Sequence, residues 1–487
     1  MTGNDPAGPH ASAAAAFARL EAGDAPSALA LFTELLQQDP SQPVCFLGAG
    51  QALEQMGDDA GAEASFRHAI TLSPDLAAAH GALAALAGRR RNWDLTRSSG
   101  EAALALDAGQ FPALIALAQL ALNEGRWKEA LTRLHPVIDG ERTSPQPRAQ
   151  AHRLAGQALE KLDRRGEAFA QFAASAAIFR DLYAETCAGP EPLAGLDLCQ
   201  TLLKGYEAAE PQLWRGTGGA SSSPAAGHVF MLGFPRSGTT LLEQVLAGHP
   251  DVVALEERPT LVPAIDAYLN PPNALGALAA LAEETAERWR ADYWARVESL
   301  GAKVDGKLFI DKQPFYGLWL PLIGKLFPEA KIIVTRRDPR DVVFSCFRNP
   351  FRMTPVTYEL MDLERGAALY VGMMRIIELC LVKGANPALI HRHEDLVQRF
   401  DETLAALCAF LGLKPDPRMA GFVETAAGRD IRTPSAGQVT RGLNRDGIGA
   451  WKPYAEQLQP VLPTLDPIAV RYGYAPYQSL ISRPSRA

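Results

Sequence analysis

In the first half of the chain the apolar residues fall three and four apart, the spacing of amphipathic helices, and the pattern repeats. Gly23, Ala28, Phe32 and Pro40 recur 34 residues later as Gly57, Ala62, Phe66 and Pro74. Ala103 follows Ala69 by the same interval, and Gly125, Ala130 and Leu134 continue the phase. The third copy keeps the phase with Arg91, Thr96 and Gly100 at its key places, and a fifth lies around Ala168 and Phe172. That last copy comes 38 residues after the fourth, and the polar run Thr143 to Pro147 takes up the slip. Small residues let paired helices approach closely and large ones fill the gap between pairs, so the pattern predicts stacked helical hairpins forming an α-solenoid with a concave face. Helix-type sequence continues from Ala176 to Leu213, broken at Gly189-Pro190.

Beyond Gly216 to Gly227, a Gly/Ser stretch that reads as a flexible linker, the pattern changes. Short apolar runs now alternate with helical spacing: His228 to Leu232 and Ala330 to Thr335 read as buried strands, Lys307 to Asp311 as a strand, and Ala388 to Leu396 as a strand and turn before a helix over Phe400 to Leu411. This alternation predicts a parallel sheet flanked by helices. The expected organisation is a helical repeat domain with bridging helices over 1–215, a linker over 216–227 and an α/β domain over 228–480.

The candidate chemistry begins at Met231 to Thr240, which reads strand, phosphate loop, helix. The backbone N–H groups of such a loop and the positive end of the following helix form an anion site, to which Arg236 adds a fixed charge. The spacing from Gly233 to Gly238 is that of a nucleotide phosphate loop, but Thr239 stands where an NTPase places its Lys. No clear Mg²⁺-holding Asp ends a strand, so a kinase reading is disfavoured. A second strand-loop-helix corner follows Ala330 to Thr335, where Asp338-Pro339 can open a helix behind Arg337. His391 and His393 lack partners at metal spacing and read as structural, and Glu394-Asp395 as a turn or cap.

The run Pro235-Arg-Ser-Gly-Thr-Thr-Leu, then His249-Pro-Asp and Glu256-Glu257, resembles the sulfotransferase family, most closely its tyrosylprotein branch and related bacterial proteins that carry tetratricopeptide (TPR) repeats. The 34-residue period of the first half is that of TPR repeats. The fold thus implied is an N-terminal TPR α-solenoid followed by a P-loop-like, parallel-sheet α/β sulfotransferase domain. By resemblance, Arg236, Ser237, Gly238, Thr239 and Thr240 bind the 5′-phosphosulfate of 3′-phosphoadenosine 5′-phosphosulfate (PAPS), the co-substrate. Glu257, 21 residues after Arg236, is then the general base, and Lys312 contacts the transferring sulfuryl group. Arg337 and Ser345 match the residues that hold the 3′-phosphate. Thr433-Pro-Ser435 and Gly447 to Lys452 resemble the closing segment over the nucleotide, with Ser435 on the phosphosulfate side. Ala450 departs from the animal pattern, which has a Lys there, and Lys452 is the residue placed to compensate.

Composition narrows the classes. A formal net charge of −7 argues against a general nucleic-acid binder, and 47% hydrophobic with 21% charged residues is ordinary for a globular protein. The six scattered cysteines have no metal spacing and read as reduced buried thiols, so no metal is expected. No signal peptide or membrane span is visible, and a cytoplasmic enzyme is expected. TPR arrays bind peptides or proteins, so the first half is expected to dock an acceptor peptide or protein, or to form a homodimer. Two alternatives stay open: a TPR scaffold whose second domain binds nucleotide without turnover, and a sulfotransferase acting on a glycan or small molecule.

Overall fold

The computed structural model describes residues 9–141, 143–188, 195–218, 223–269, 274–349, 351–427 and 442–478. The chain divides into two compact units, Met1–Leu182 and Tyr183–Ala487.

The first unit is built of helical pairs: α1 (Pro9–Glu21) with α2 (Ala25–Gln38), α3 (Pro43–Gln55) with α4 (Asp59–Leu72), α5 (Ala77–Arg89) with α6 (Trp93–Leu106), α7 (Phe111–Asn123) with α8 (Trp127–Asp139), and α9 (Pro145–Lys161) with α10 (Arg165–Cys187), which runs past the unit boundary. The period read in the sequence is a backbone period. Gly23, Gly57, Arg91, Gly125 and Asp163 all take positive φ at the turn between paired helices. The turn therefore survives where Gly is replaced by Arg91 (φ 57°) or Asp163 (φ 60°), at a strain the surrounding pairs hold in place. Asp24, Asp58 and Asn92, one residue later, cap the second helices by accepting from the backbone N–H three residues on. Phe32 and Phe66 are fully buried, each against a glycine, Gly48 and Gly50. In the third pair, where Gly100 replaces the large residue, Leu117 of α7 fills the space instead.

The second unit holds a five-stranded parallel sheet in the order β2-β3-β1-β4-β5, from β1 (Gly227–Gly233), β2 (Val252–Glu256), β3 (Leu308–Lys312), β4 (Lys331–Arg336) and β5 (Ala388–Arg392). The central β1, β3 and β4 each carry an apolar stretch buried on both faces, Val229–Leu232, Leu308–Ile310 and Ile332–Val334, as parallel sheets require. Helix α12 (Thr239–Leu246) leaves the end of β1 with every residue buried. It packs with the helix Phe400–Leu411, Met419 and Phe422 into one core.

The compact units divide at 182/183, whereas the sequence suggested the Gly/Ser stretch at 216–227. The helix α11 (Gly195–Ala208) packs on the helix Leu363–Lys383, burying Cys199, Leu202 and Tyr206, and Tyr206 donates a hydrogen bond to the carbonyl of Leu318 at 2.9 Å. Long-range burial ties this segment to the sheet, and local polarity could not reveal it. All six cysteines are buried and free. Among the described residues no helix is long and apolar enough to cross a membrane, and no cluster of His, Cys, Asp and Glu is placed to hold a metal.

Candidate active site

Parallel pairing lines up the carboxyl ends of the strands. Glu256 of β2 lies across from Lys312 of β3, Lys312 across from Met231 of β1, Gly233 of β1 across from Thr335 of β4, and Thr335 across from His391 of β5. In an open α/β sheet ligand groups gather at this edge, beside the strand where the order reverses.

The loop after β1 turns sharply. Ser237 N–H donates to the carbonyl of Phe234 at 3.1 Å, and the Ser237 and Thr335 hydroxyls meet at 2.7 Å. Gly238 takes φ +102° and caps α12, which opens with the buried Thr239 and Thr240. The first N–H groups of a helix have no intrahelical partner, so this corner presents donors and a positive dipole end to an anion. Arg236 adopts φ 68°, is 9% exposed and donates from Nε to Ser345 Oγ at 3.0 Å. Burial pulls its guanidinium down to about 10, the direction expected of a buried cation.

The second corner meets the first. Asp338 caps the helix Pro339–Phe347 by accepting from Arg340 N–H at 3.0 Å, with Pro339 in the first turn. Arg337 donates through Nη1 to the carbonyl of Arg236 at 3.0 Å and through Nη2 to that of Gly447, and its Nε has no hydrogen-bond partner among the described residues. The Arg236–Ser345 and Arg337–Arg236 hydrogen bonds hold the two corners side by side.

Lys312 ends β3 fully buried, its ammonium 2.8 Å from Glu257 Oε1, 3.2 Å from Glu256 Oε1 and 3.3 Å from Glu243 Oε2. Burial lowers its pKa, and the charges of Glu243, Glu257 and Glu256 more than reverse that, so Lys312 stays charged. Glu257 has φ 46°, a left-handed conformation uncommon outside Gly, fixed by its N–H donating to the carbonyl of Lys312 at 2.8 Å. Its side chain is 38% exposed although its Oε1 meets the ammonium, and its charge is felt at Arg236.

Of the closing segment, Ser435 lies outside the described residues. Lys452 is exposed and its chain lies over Gly449. Asp341 holds this segment, accepting from Gly449 N–H at 2.7 Å and Trp451 N–H at 2.9 Å; burial pushes its carboxyl up to about 6.

Sequence reasoning missed two groups of residues here. His393, read as structural, packs against Gly238, and its Nδ1 has no hydrogen-bond partner among the described residues. Burial pushes His393 down to about 3, with Arg337, His391 and Arg236 adding to the effect, so it is neutral. The second group is the network behind Lys312, in which Asp311 Oδ2 accepts from Thr260 Oγ1 at 2.7 Å and from Tyr293 OH at 2.9 Å, while Tyr316 OH accepts from Leu261 N–H at 3.1 Å. Glu243 carried a signal, a lone carboxylate inside the apolar face Leu241, Leu242, Val245, Leu246. His393 carried none, since only the pairing of β4 with β5 brings it to the loop.

Residues 228–417 match the family model described as "Sulfotransferase family", and residues 19–86 that of the tetratricopeptide repeat. The chain is 27% identical over 268 residues to an uncharacterized protein of Aquifex aeolicus (strain VF5), covering 52% of this chain and 33% of that one. It is 29% identical over 214 residues to nodulation protein NoeE of Sinorhizobium fredii, covering 38% of this chain and 50% of that one. It is 26% identical over 274 residues to protein-tyrosine sulfotransferase 2 of Gallus gallus, covering 51% of this chain and 70% of that one. The chain thus spans between a third and a half of the length of the first two relatives. The similarity to the sulfotransferase family thus covers residues 228–417, the stretch that holds the sheet and both corners, and that to the tetratricopeptide repeat covers residues 19–86.

Proposed function

We propose that this protein moves a sulfuryl group from PAPS to an acceptor hydroxyl, and that the acceptor is a tyrosine of a protein or peptide. The observation that carries the reading is the contact of Lys312 with Glu257 at 2.8 Å, beside an anion corner built from Arg236 and Arg337. A module that only bound nucleotide would have no use for a partly exposed carboxylate held on a buried ammonium.

In this reading Arg236 and the N–H groups from Ser237 to Thr240 hold the 5′-phosphosulfate, and Arg337 with Ser345 the 3′-phosphate. The Arg236 and Arg337 guanidiniums, brought together at the two corners, suit a polyanionic nucleotide. Glu257 takes the acceptor proton, and Lys312 donates to the oxygen on which charge develops. A phenol suits a carboxylate base because its proton, with a pKa near 10, is within reach of removal as the S–O bond forms. The similarity to a chicken enzyme named for protein tyrosine, at 26% identity, supports the acceptor class. The TPR half is proposed to present that acceptor, since stacked helical hairpins offer a groove to an extended chain.

The test is incubation with ³⁵S-labelled PAPS and cell extract, followed by analysis of where label enters. Label on protein tyrosine is the expected result. Label confined to glycan or small molecules overturns the acceptor and leaves the transfer; no PAPS-dependent label in any fraction overturns the transfer itself.

A further inference from the structure

Lys312 is ringed by more carboxylate than one buried cation needs. Glu257, 38% exposed, opens to the site, Glu256 is 16% exposed, and Glu243, 3% exposed, comes from underneath on the second turn of α12. Glu243 is therefore a link between the phosphate-loop helix and the ammonium at the end of β3.

That link matters at one moment of the reaction proposed above, on which this inference rests. The acceptor O–H bond breaks and its proton passes to Glu257. The acceptor oxygen forms the new bond to sulfur as the bond from sulfur to the nucleotide 5′-phosphate oxygen breaks, and that electron pair stays on the phosphate oxygen, where Lys312 donates its hydrogen bond. Glu257, now neutral, no longer holds Lys312 by charge at 2.8 Å. We propose that Glu243 is the positioning residue of Lys312, whose buried ion pair at 3.3 Å lets the phosphate-loop helix keep the ammonium charged and in place while Glu257 carries the acceptor's proton. Glu256 sits across the strand pair and shares the task from the side, but only Glu243 is on the element that starts at the phosphate loop.

The charged groups facing Glu243 are Lys312 from β3 and Glu256 and Glu257 from the end of β2. Burial pushes Glu243 up to about 7; Lys312 pulls the other way, and the two glutamates add to the rise. Glu243 is thus held above the usual carboxylate range, and its hold on Lys312 strengthens as rising pH ionises it.

The test compares the full chain with Glu243→Gln and Glu243→Asp in kcat and in KM for PAPS across neutral pH, and follows the ¹³C signal of the Lys312 ε-carbon, assigned with Lys312→Met. Expected for Gln is a kcat about tenfold or more lower at mildly alkaline pH, a KM for PAPS within about threefold, and loss of the rise in kcat near neutrality. The Asp variant should regain part of the kcat and of the rise, and Lys312 should lose its charge at lower pH in the Gln variant than in the native chain. Unchanged kcat with an unchanged pH profile overturns the proposal, and so does a kcat loss with an unmoved Lys312 titration, which would mark a merely structural residue. If the native chain transfers no sulfuryl group, the function proposed above has failed, and the Lys312 titration alone decides: unmoved, Glu243 does not position Lys312; lowered, it does.

Discussion

Gly238 and His393 meet with no room for a side chain between them. A Cβ at Gly238 would overlap the imidazole Nδ1, and the φ of +102° at Gly238 is one that residues with a Cβ rarely adopt. Both constraints act where the phosphate loop becomes α12. Gly238→Ala should therefore weaken 3′-phosphoadenosine 5′-phosphate by about tenfold or more in calorimetric titration. Adding His393→Ala removes the collision but not the backbone strain, so the double variant should recover only part of the loss. Full recovery would mean the backbone at Gly238 is not strained, and an unchanged single variant would take the loop out of nucleotide binding.

Glu257 is held in a left-handed conformation by its own N–H to Lys312, with its carboxylate on the Lys312 ammonium. Glu257→Gln keeps the shape and removes the base. Turnover should fall by about a hundredfold or more, the usual scale for losing a general base, with nucleotide affinity nearly unchanged. Near-normal turnover would remove Glu257 from the mechanism.

Arg337 is tied to backbone carbonyls of Arg236 and Gly447, which leaves its charge available to a ligand anion. Arg337→Ala should weaken 3′-phosphoadenosine 5′-phosphate by about 2 kcal/mol or more and barely affect the same nucleotide without its 3′-phosphate. Titrating both ligands checks this. Equal losses would show that Arg337 serves the joint between the two corners instead.

What the sequence made legible is what local spacing can encode. The 34-residue period reappears as recurrent positive φ from Gly23 to Gly125, and the apolar runs at His228, Lys307 and Ala330 became β1, β3 and β4. Gly238 could be read because a phosphate loop is a local structure. The contacts of Arg236 with Ser345, of Glu243 with Lys312 and of Gly238 with His393 could not, since each joins residues brought together only by strand order. The packing of α11 on the second unit was hidden for the same reason: its buried face looks like that of any amphipathic helix.

Asp311, one residue before Lys312 and on the other face of β3, makes the last prediction, one of stability. It is fully buried, with Thr260 and Tyr293 donating to Oδ2, while Oδ1 has no partner among the described residues. Burial pushes its carboxyl up to about 7, against the hydrogen bonds and the Lys312 charge that pull it down. In the unfolded chain the same group titrates near about 4. Between those values the folded protein binds the proton that the unfolded chain has released, so this group's contribution to stability is present at acid pH and is lost as pH rises from about 4 to about 7. Asp311→Asn cannot titrate. Its amide oxygen still accepts from Thr260 and Tyr293, and its unpartnered NH₂ adds a pH-independent cost of about 1–3 kcal/mol. The Tm of the variant, measured against the native chain at a series of pH values, should therefore gain on the native Tm across that window and then run parallel to it. Parallel curves throughout would mean that Asp311 is ionised in the folded protein at acid pH, and that its network holds a charge where burial favours a proton.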